Sequence, residues 1–154
     1  KGLKMTDSAT RDPVCCGIAI AARRAVFVIL RREGDLVRDV TGPDTQITIK
    51  DEDNPSEIRA FCRNAHALFD RMQPDHIGIV QRKKKGHFAS GGTTFKLEGL
   101  LQLYPRTDVA LVAPTLLRQF VKEQRPILTP RFQYQKEAYL LALYLLETLG
   151  PKAG

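Results

Sequence analysis

The chain has 154 residues, enough for one domain with its own hydrophobic core. Hydrophobic residues make up 43% of it, which argues against a disordered polymer, and the net charge of +7 favours an acidic partner, nucleic acid first among them. No apolar run is long enough to span a membrane and no stretch reads as a secretory signal, so the expectation is a cytoplasmic protein with no membrane partner.

Residues 1–13 are polar and read as a flexible tail, residues 14–150 as the folded domain, and residues 151–154 as a second tail. Val14-Cys15-Cys16-Gly17-Ile18-Ala19-Ile20 is apolar throughout, as suits a strand buried on both faces. Arg23-Arg24 reads as a turn, and Ala25–Leu30, rich in β-branched residues, as a second strand. Glu33-Gly34-Asp35 has turn chemistry. Gln46–Lys50 alternates at period two, like a half-exposed edge strand. Three strands so close in sequence predict an antiparallel meander.

Asn54-Pro55-Ser56-Glu57 announces a helix with a cap residue, a proline at the first position and an acid at the third. Ile58, Phe61, Cys62, Ala65, Leu68, Phe69 and Met72 form its apolar stripe, with His66 at the boundary. Pro74-Asp75 stops it, and His76–Val80 is a fourth strand. Thr93 or Thr94 is positioned to cap a second helix, with Glu98 in its first turn and Leu97, Leu100, Leu101 and Tyr104 on one face. Val109–Val112 predicts a fifth strand. A short helix follows from Pro114, then a proline-flanked crossover. The last helix runs from about Phe132 to Leu149, apolar on most sides between Ala138 and Leu146. Three antiparallel strands followed by strand–helix alternation predict an α/β fold: a mixed five-stranded sheet covered by helices.

Between the fourth strand and the second helix lies the most distinctive stretch, Gln81 to Glu98. It carries four consecutive cations, Arg82, Lys83, Lys84 and Lys85, and three glycines, Gly86, Gly91 and Gly92. Clustered cations, open backbone N–H groups and a helix N-terminus suit an anion. Arg82–Lys85, the Gly91-Gly92 turn and Lys96 are therefore the candidate nucleic-acid contacts. His87 and Phe88 either add a base contact or anchor the loop in the core. A solvated basic loop is the plain alternative.

Cys15, Cys16 and Cys62 lack metal-ligand spacing and read as reduced, buried small hydrophobes. Asp51-Glu52-Asp53 reads as a charge bias at the start of the first helix. Ser90 and Thr93 have no visible His-plus-acid partners, so nucleophilic catalysis has no support.

The element order resembles the ribonuclease H-like fold, which includes RuvC-type Holliday-junction resolvases. At residue level, Cys16-Gly17-Ile18, the loop Gln81–Gly91 and Phe95-Lys96-Leu97-Glu98 resemble an uncharacterised bacterial group, domain-of-unknown-function family 3010. Active relatives of the fold, the resemblance implies, place a carboxylate after Gly-Ile on the first strand and another, usually Glu, at the end of the fourth. Here those positions hold Ala19 and Gln81. Two-metal phosphodiester cleavage needs anionic oxygen ligands for Mg²⁺ or Mn²⁺, and neither residue supplies one. The expectation is a catalytically degenerate nuclease fold that binds nucleic acid and carries no cofactor or metal. Two alternatives stay open. One is a metal-dependent nuclease, with Mg²⁺ or Mn²⁺ held by the displaced acids Glu98 and Glu137. The other is a protein-interaction or dimerisation module, for which an oligomer is allowed. Glu137 opens the last helix, where the fold often carries its final acidic ligand, and Glu98 has helix-dipole complementation as its plainer reading.

Overall fold

A computed structural model describes residues 12–82 and 91–149. Lys83, Lys84, Lys85, Gly86, His87, Phe88, Ser90, residues 1–11 and residues 151–154 lie outside the described residues, whereas Pro13, expected in the N-terminal tail, is buried and accepts from Arg32 N–H at 3.0 Å.

β1 (Val14–Ala21) is central. It pairs antiparallel with β2 (Arg24–Glu33) on one side and parallel with β5 (His76–Val80) on the other. β6 (Val109–Val112) extends the parallel side. On the antiparallel side, β3 (Leu36–Asp39) and β4 (Gln46–Thr48) share the edge of β2, β3 against Leu30–Glu33 and β4 against Arg24–Val26. The sheet is therefore five positions wide but built from six strands. β3 has no counterpart in the sequence reading, and Arg24, expected in a turn, opens β2.

Between the two edge segments, β2 is completed by other groups. Phe27 donates to Thr45 O at 2.9 Å, Ile29 N–H donates to Thr41 Oγ1 at 2.9 Å, and the buried Gln135 amide donates to Phe27 O at 3.2 Å. A buried backbone carbonyl without a partner would cost about 1–3 kcal/mol, so Gln135 is structural.

α1 (Pro55–Met72) begins as its sequence dictates: Asn54 Oδ1 accepts from the backbone of Ser56 at 2.9 Å and of Glu57 at 3.4 Å. It ends on Gln73, which adopts the left-handed conformation (φ 47°) and donates to Phe69 O at 2.8 Å. α2 (Gly92–Gln102) is capped by Gly91 and not by a threonine. α3 (Pro114–Gln124) and a single 3₁₀ turn (Gln133–Gln135) lead to α4 (Lys136–Leu149), which starts four residues later than the sequence suggested.

The sheet separates two apolar layers. Cys16, Ile18, Ile20, Phe27 and Ile77 pack with Phe61, Leu68 and Phe69 of α1 and with Leu97 and Leu101 of α2. Cys15, Ala19, Val28 and Val80 pack with Leu117 and Phe120 of α3 and with Ala138, Leu141 and Ala142 of α4. The β1–α4 contact is unusually close. A Cβ on Gly17 would lie 2.1 Å from Ala138 O and 2.6 Å from Ala142 N, so glycine here permits backbone against backbone.

Candidate functional site

The parallel strands β1, β5 and β6 all end on one side of the sheet, the side where sites form in such folds. Gln81 continues β5 there, donating its backbone N–H to Val112 O at 2.9 Å. Ala19 is 4% exposed and belongs to the layer under α4. This is the position at which the resemblance implies a carboxylate, and here it holds a methyl group. Arg82 then turns back over the end of β1. Its Nε donates to Ile20 O at 3.0 Å and its Nη2 donates to Glu137 Oε1 at 2.9 Å. Glu137 stands in the first turn of α4, held over β1 by the Gly17 contact one residue further on. Its carboxylate thus meets a guanidinium bonded at once to a backbone carbonyl and to the carboxylate.

The resemblance implied a divalent metal at this end of the sheet, and the residues present do not fit one. Position 19 has no oxygen donor in its side chain, position 81 offers a neutral amide, and Glu137 is bound to a fixed cation. Glu98 and Glu137 lie on helices that cover opposite faces of the sheet. Among the described residues, no three His, Cys, Asp or Glu side chains converge as metal ligands would.

Glu98 itself differs from expectation. It lies in the second turn of α2, not the first, and is only 5% exposed. Dipole complementation at a helix start does not describe a carboxylate buried in mid-helix. Thr94, Glu98 and Leu101 follow at steps of four and three, the spacing of α2's inward stripe, and that spacing was readable in the sequence.

An open cleft of about 560 Å³ lies beside Arg82, lined by Ile20, Ala22, Arg23, Arg82, Gly91 and Thr93 among others. Gly91 caps α2 without any side-chain acceptor, and a Cβ at Gly91 or Gly92 would meet open space. Among the described residues, nothing covers the first backbone N–H groups of α2 where they border the cleft, a local positive potential at the end of an 11-residue helix. The basic run continues directly from Arg82 in sequence, although Lys83–Lys85 lie outside the described residues.

The acidic stretch before α1 closes the far rim. Lys96 Nζ donates to Glu52 O at 2.8 Å and lies 3.6 Å from Asp53 Oδ1. Arg23 donates to Lys50 O and lies 3.6 Å from Glu52 Oε1. The Glu52 carboxyl is held below the usual carboxylate range, first by its own backbone N–H and the Thr93 hydroxyl, then by Arg23 and Lys96. Asp51–Asp53 is thus more than a charge bias for α1: Glu52 pairs with Arg23 of the cleft and Asp53 with Lys96 of α2. Lys96, expected to be a free contact, already has a carboxylate neighbour.

The cysteines offer no nucleophile. Burial, with Asp75 adding, pushes the Cys15 thiol up to about 12, and burial raises Cys16 and Cys62 as well. Cys62 is half-buried, more open than expected, with Sγ 3.6 Å from His66 Nε2. His66 Nε2 lies 3.0 Å from Leu100 O, so this pair ties α1 to α2.

Residues 14–145 match the profile of a family described as "Protein of unknown function (DUF3010)". No curated protein sequence matches the chain. Among solved structures, Thermus thermophilus RuvC is similar over 90% of this chain and 98% of its own, with 12% identity and a TM-score of 0.67. T. thermophilus RuvC in complex with a Holliday junction substrate is similar over 91% and 98%, with 12% identity and a TM-score of 0.64. Fowlpox virus resolvase with Holliday junction DNA is similar over 88% and 98%, with 12% identity and a TM-score of 0.50. At such identity the likeness is one of fold, and the mixed sheet with its flanking helices is that of the ribonuclease H-like group.

Proposed function

The chain belongs to the DUF3010 family, and from that premise we propose that it is a nucleic-acid-binding protein on a resolvase-type scaffold whose metal-dependent cleavage centre has been replaced. The observation that carries this reading is the Arg82 guanidinium, bonded to Ile20 O and Glu137 beside Ala19 and Gln81. On this reading a permanent cation stands where the resemblance implies that acidic residues would gather a divalent one. Arginine carries a positive charge at every relevant pH and exposes planar N–H donors, so it attracts phosphate without activating water. The open N-terminus of α2 adds to the same attraction at the cleft, and Lys83–Lys85 follow Arg82 directly in sequence. The structures of two resolvase neighbours with junction DNA make branched DNA a natural first substrate to try.

The test is binding and cleavage of labelled single-stranded, duplex and four-way-junction substrates, with and without Mg²⁺ or Mn²⁺, beside a Lys83/Lys84/Lys85→Ala protein. Salt-sensitive binding that weakens in the variant, without cleavage under any metal, is the expected result. Metal-dependent cleavage by the unaltered protein would overturn the degenerate reading, and absence of binding would overturn the nucleic-acid reading.

A second reading is metal-dependent cleavage using Glu98, favoured by its burial in mid-helix at 5% exposure. It requires divalent metal and loses activity on Glu98→Gln, whereas pure binding does not.

A further inference from the structure

Along the outer edge of β2, two aromatic rings stand at the surface. Phe132 and Tyr134 are stacked, with centroids 5.5 Å apart and planes 7° from parallel. Phe132 is 46% exposed and Tyr134 37%. Arg131 lies over the Phe132 ring at 5.3 Å and Arg24 over the Tyr134 ring at 5.2 Å. Aromatic side chains of this size are ordinarily buried, and leaving this much ring in water forgoes their burial energy. The pair is nevertheless held in place. Tyr134 Oη bonds Thr45 Oγ1 at 2.8 Å, and the 3₁₀ turn that carries Tyr134 is fixed by Gln135 on Phe27 O.

The rings also sit among cations. Most arginines of the described surface face carboxylates: Arg31 and Arg38 face Glu33, Arg71 faces Asp44, Arg82 faces Glu137. Among the described residues, the two at the aromatic pair have neutral partners only. Arg24 donates to Gln46 Oε1 at 2.7 Å and Arg131 donates to Gly42 O. Two uncompensated guanidinium groups therefore flank two solvent-facing rings. The patch also adjoins the cleft: Arg23 lines the cleft, and Arg24, the next residue, covers Tyr134.

We propose that Phe132 and Tyr134, with Arg24 and Arg131, form a stacking platform for unpaired bases of a single-stranded nucleic-acid segment that leaves the cleft past Arg23. The guanidinium groups would swing from the outer ring faces onto the flanking phosphates, and the faces so freed would take the bases. The proposal rests on the nucleic-acid reading and adds the strand type: bases inside a duplex have no free face, so the platform selects unpaired ones.

The experiment uses the full chain and a short halogenated-pyrimidine oligonucleotide, photo-crosslinked and mapped by mass spectrometry. It is run beside affinity measurements on Phe132→Leu and Phe132→Trp proteins. Phe132 is chosen because Tyr134 also holds a structural hydrogen bond. Crosslinks at Phe132 or Tyr134 are expected. Phe132→Leu should lose about fivefold or more in single-strand affinity, duplex affinity should stay unchanged, and Phe132→Trp should retain binding. Crosslinks confined to residues 82–96, with Phe132→Leu binding as the parent does, would overturn the platform and leave the nucleic-acid reading standing. Equal loss on single strand and duplex would also overturn it, as a general charge or folding effect. No binding by the parent protein would overturn both.

Discussion

Arg82 and Glu137, 55 residues apart in sequence, meet at 2.9 Å over the carboxyl end of β1, the guanidinium also bonding Ile20 O. The side chains are 27% and 42% exposed, so water screens the pair and its contribution to stability is about 0.2–1 kcal/mol. Its larger effect is on what the cleft attracts. Glu137→Gln frees the guanidinium and should tighten nucleic-acid binding; Arg82→Ala should weaken it. In log–log plots of affinity against salt, Arg82→Ala should flatten the slope by about one. An Arg82→Ala slope equal to the parent's would remove Arg82 from the phosphate contacts.

Divalent metal should leave the protein unmoved. A ligand that binds only the folded state raises the unfolding midpoint by mass action. With a methyl group at Ala19, an amide at Gln81 and Glu137 occupied, thermal unfolding in EDTA and in excess Mn²⁺ should coincide. An upward shift in Mn²⁺ that disappears in Glu98→Gln would place a metal on α2 instead.

Acid should open the far rim before it unfolds the core. Glu52 has its folded pKa lowered from 4.5 by its own backbone N–H, Thr93, Arg23 and Lys96. A lowered carboxyl stabilises the folded state above the unfolded value, and that contribution is lost as pH falls through the folded one. The stability difference between parent and Glu52→Gln should be constant above pH 4.5 and shrink below it, as followed by denaturant unfolding across pH. A difference independent of pH would show that the carboxylate's charge contributes nothing there. Because the same substitution leaves Arg23 without its acid, binding at neutral pH should also strengthen.

Gly17→Ala should be costly far beyond one methyl group. Its Cβ meets backbone atoms of Ala138 and Ala142, which cannot rotate aside as a side chain can. Overpacking of this kind destabilises by about 1–3 kcal/mol, read as a lowered denaturant midpoint. By displacing the first turn of α4 it should also part Glu137 from Arg82, so Gly17→Ala and Glu137→Gln should alter the salt slope in the same direction. Unchanged stability would mean that α4 slides on β1 freely.

What could be read from sequence was mostly local. Asn54-Pro55-Ser56-Glu57 starts α1 because cap, proline and acid act within one turn. The unbroken apolar run of β1 signals burial on both faces, and it is buried from Cys15 to Ile20. β3 escaped because Leu36-Val37-Arg38-Asp39 has no buried side chain and owes its pairing to the edge of β2 alone. The neutralisation of Lys96 by the stretch before α1, and of Arg82 by α4, depends on tertiary approach that no spacing encodes. Gln81 and Ala19 were conspicuous only against the resemblance, and the Arg82–Glu137 pair beside them needed the fold to be seen. The nucleic-acid contacts expected at Lys83–Lys85 lie outside the described residues.

The sharing of the β2 edge by two short segments reaches beyond the monomer. A long unpaired strand invites a second chain to add to it, but here one border is split into pieces of four and three residues around a loop tied down by Thr41, Thr45 and Gln135. The opposite border, β6, is only four residues long. Neither offers a template of useful length, so the fold is guarded against runaway strand-by-strand polymerisation.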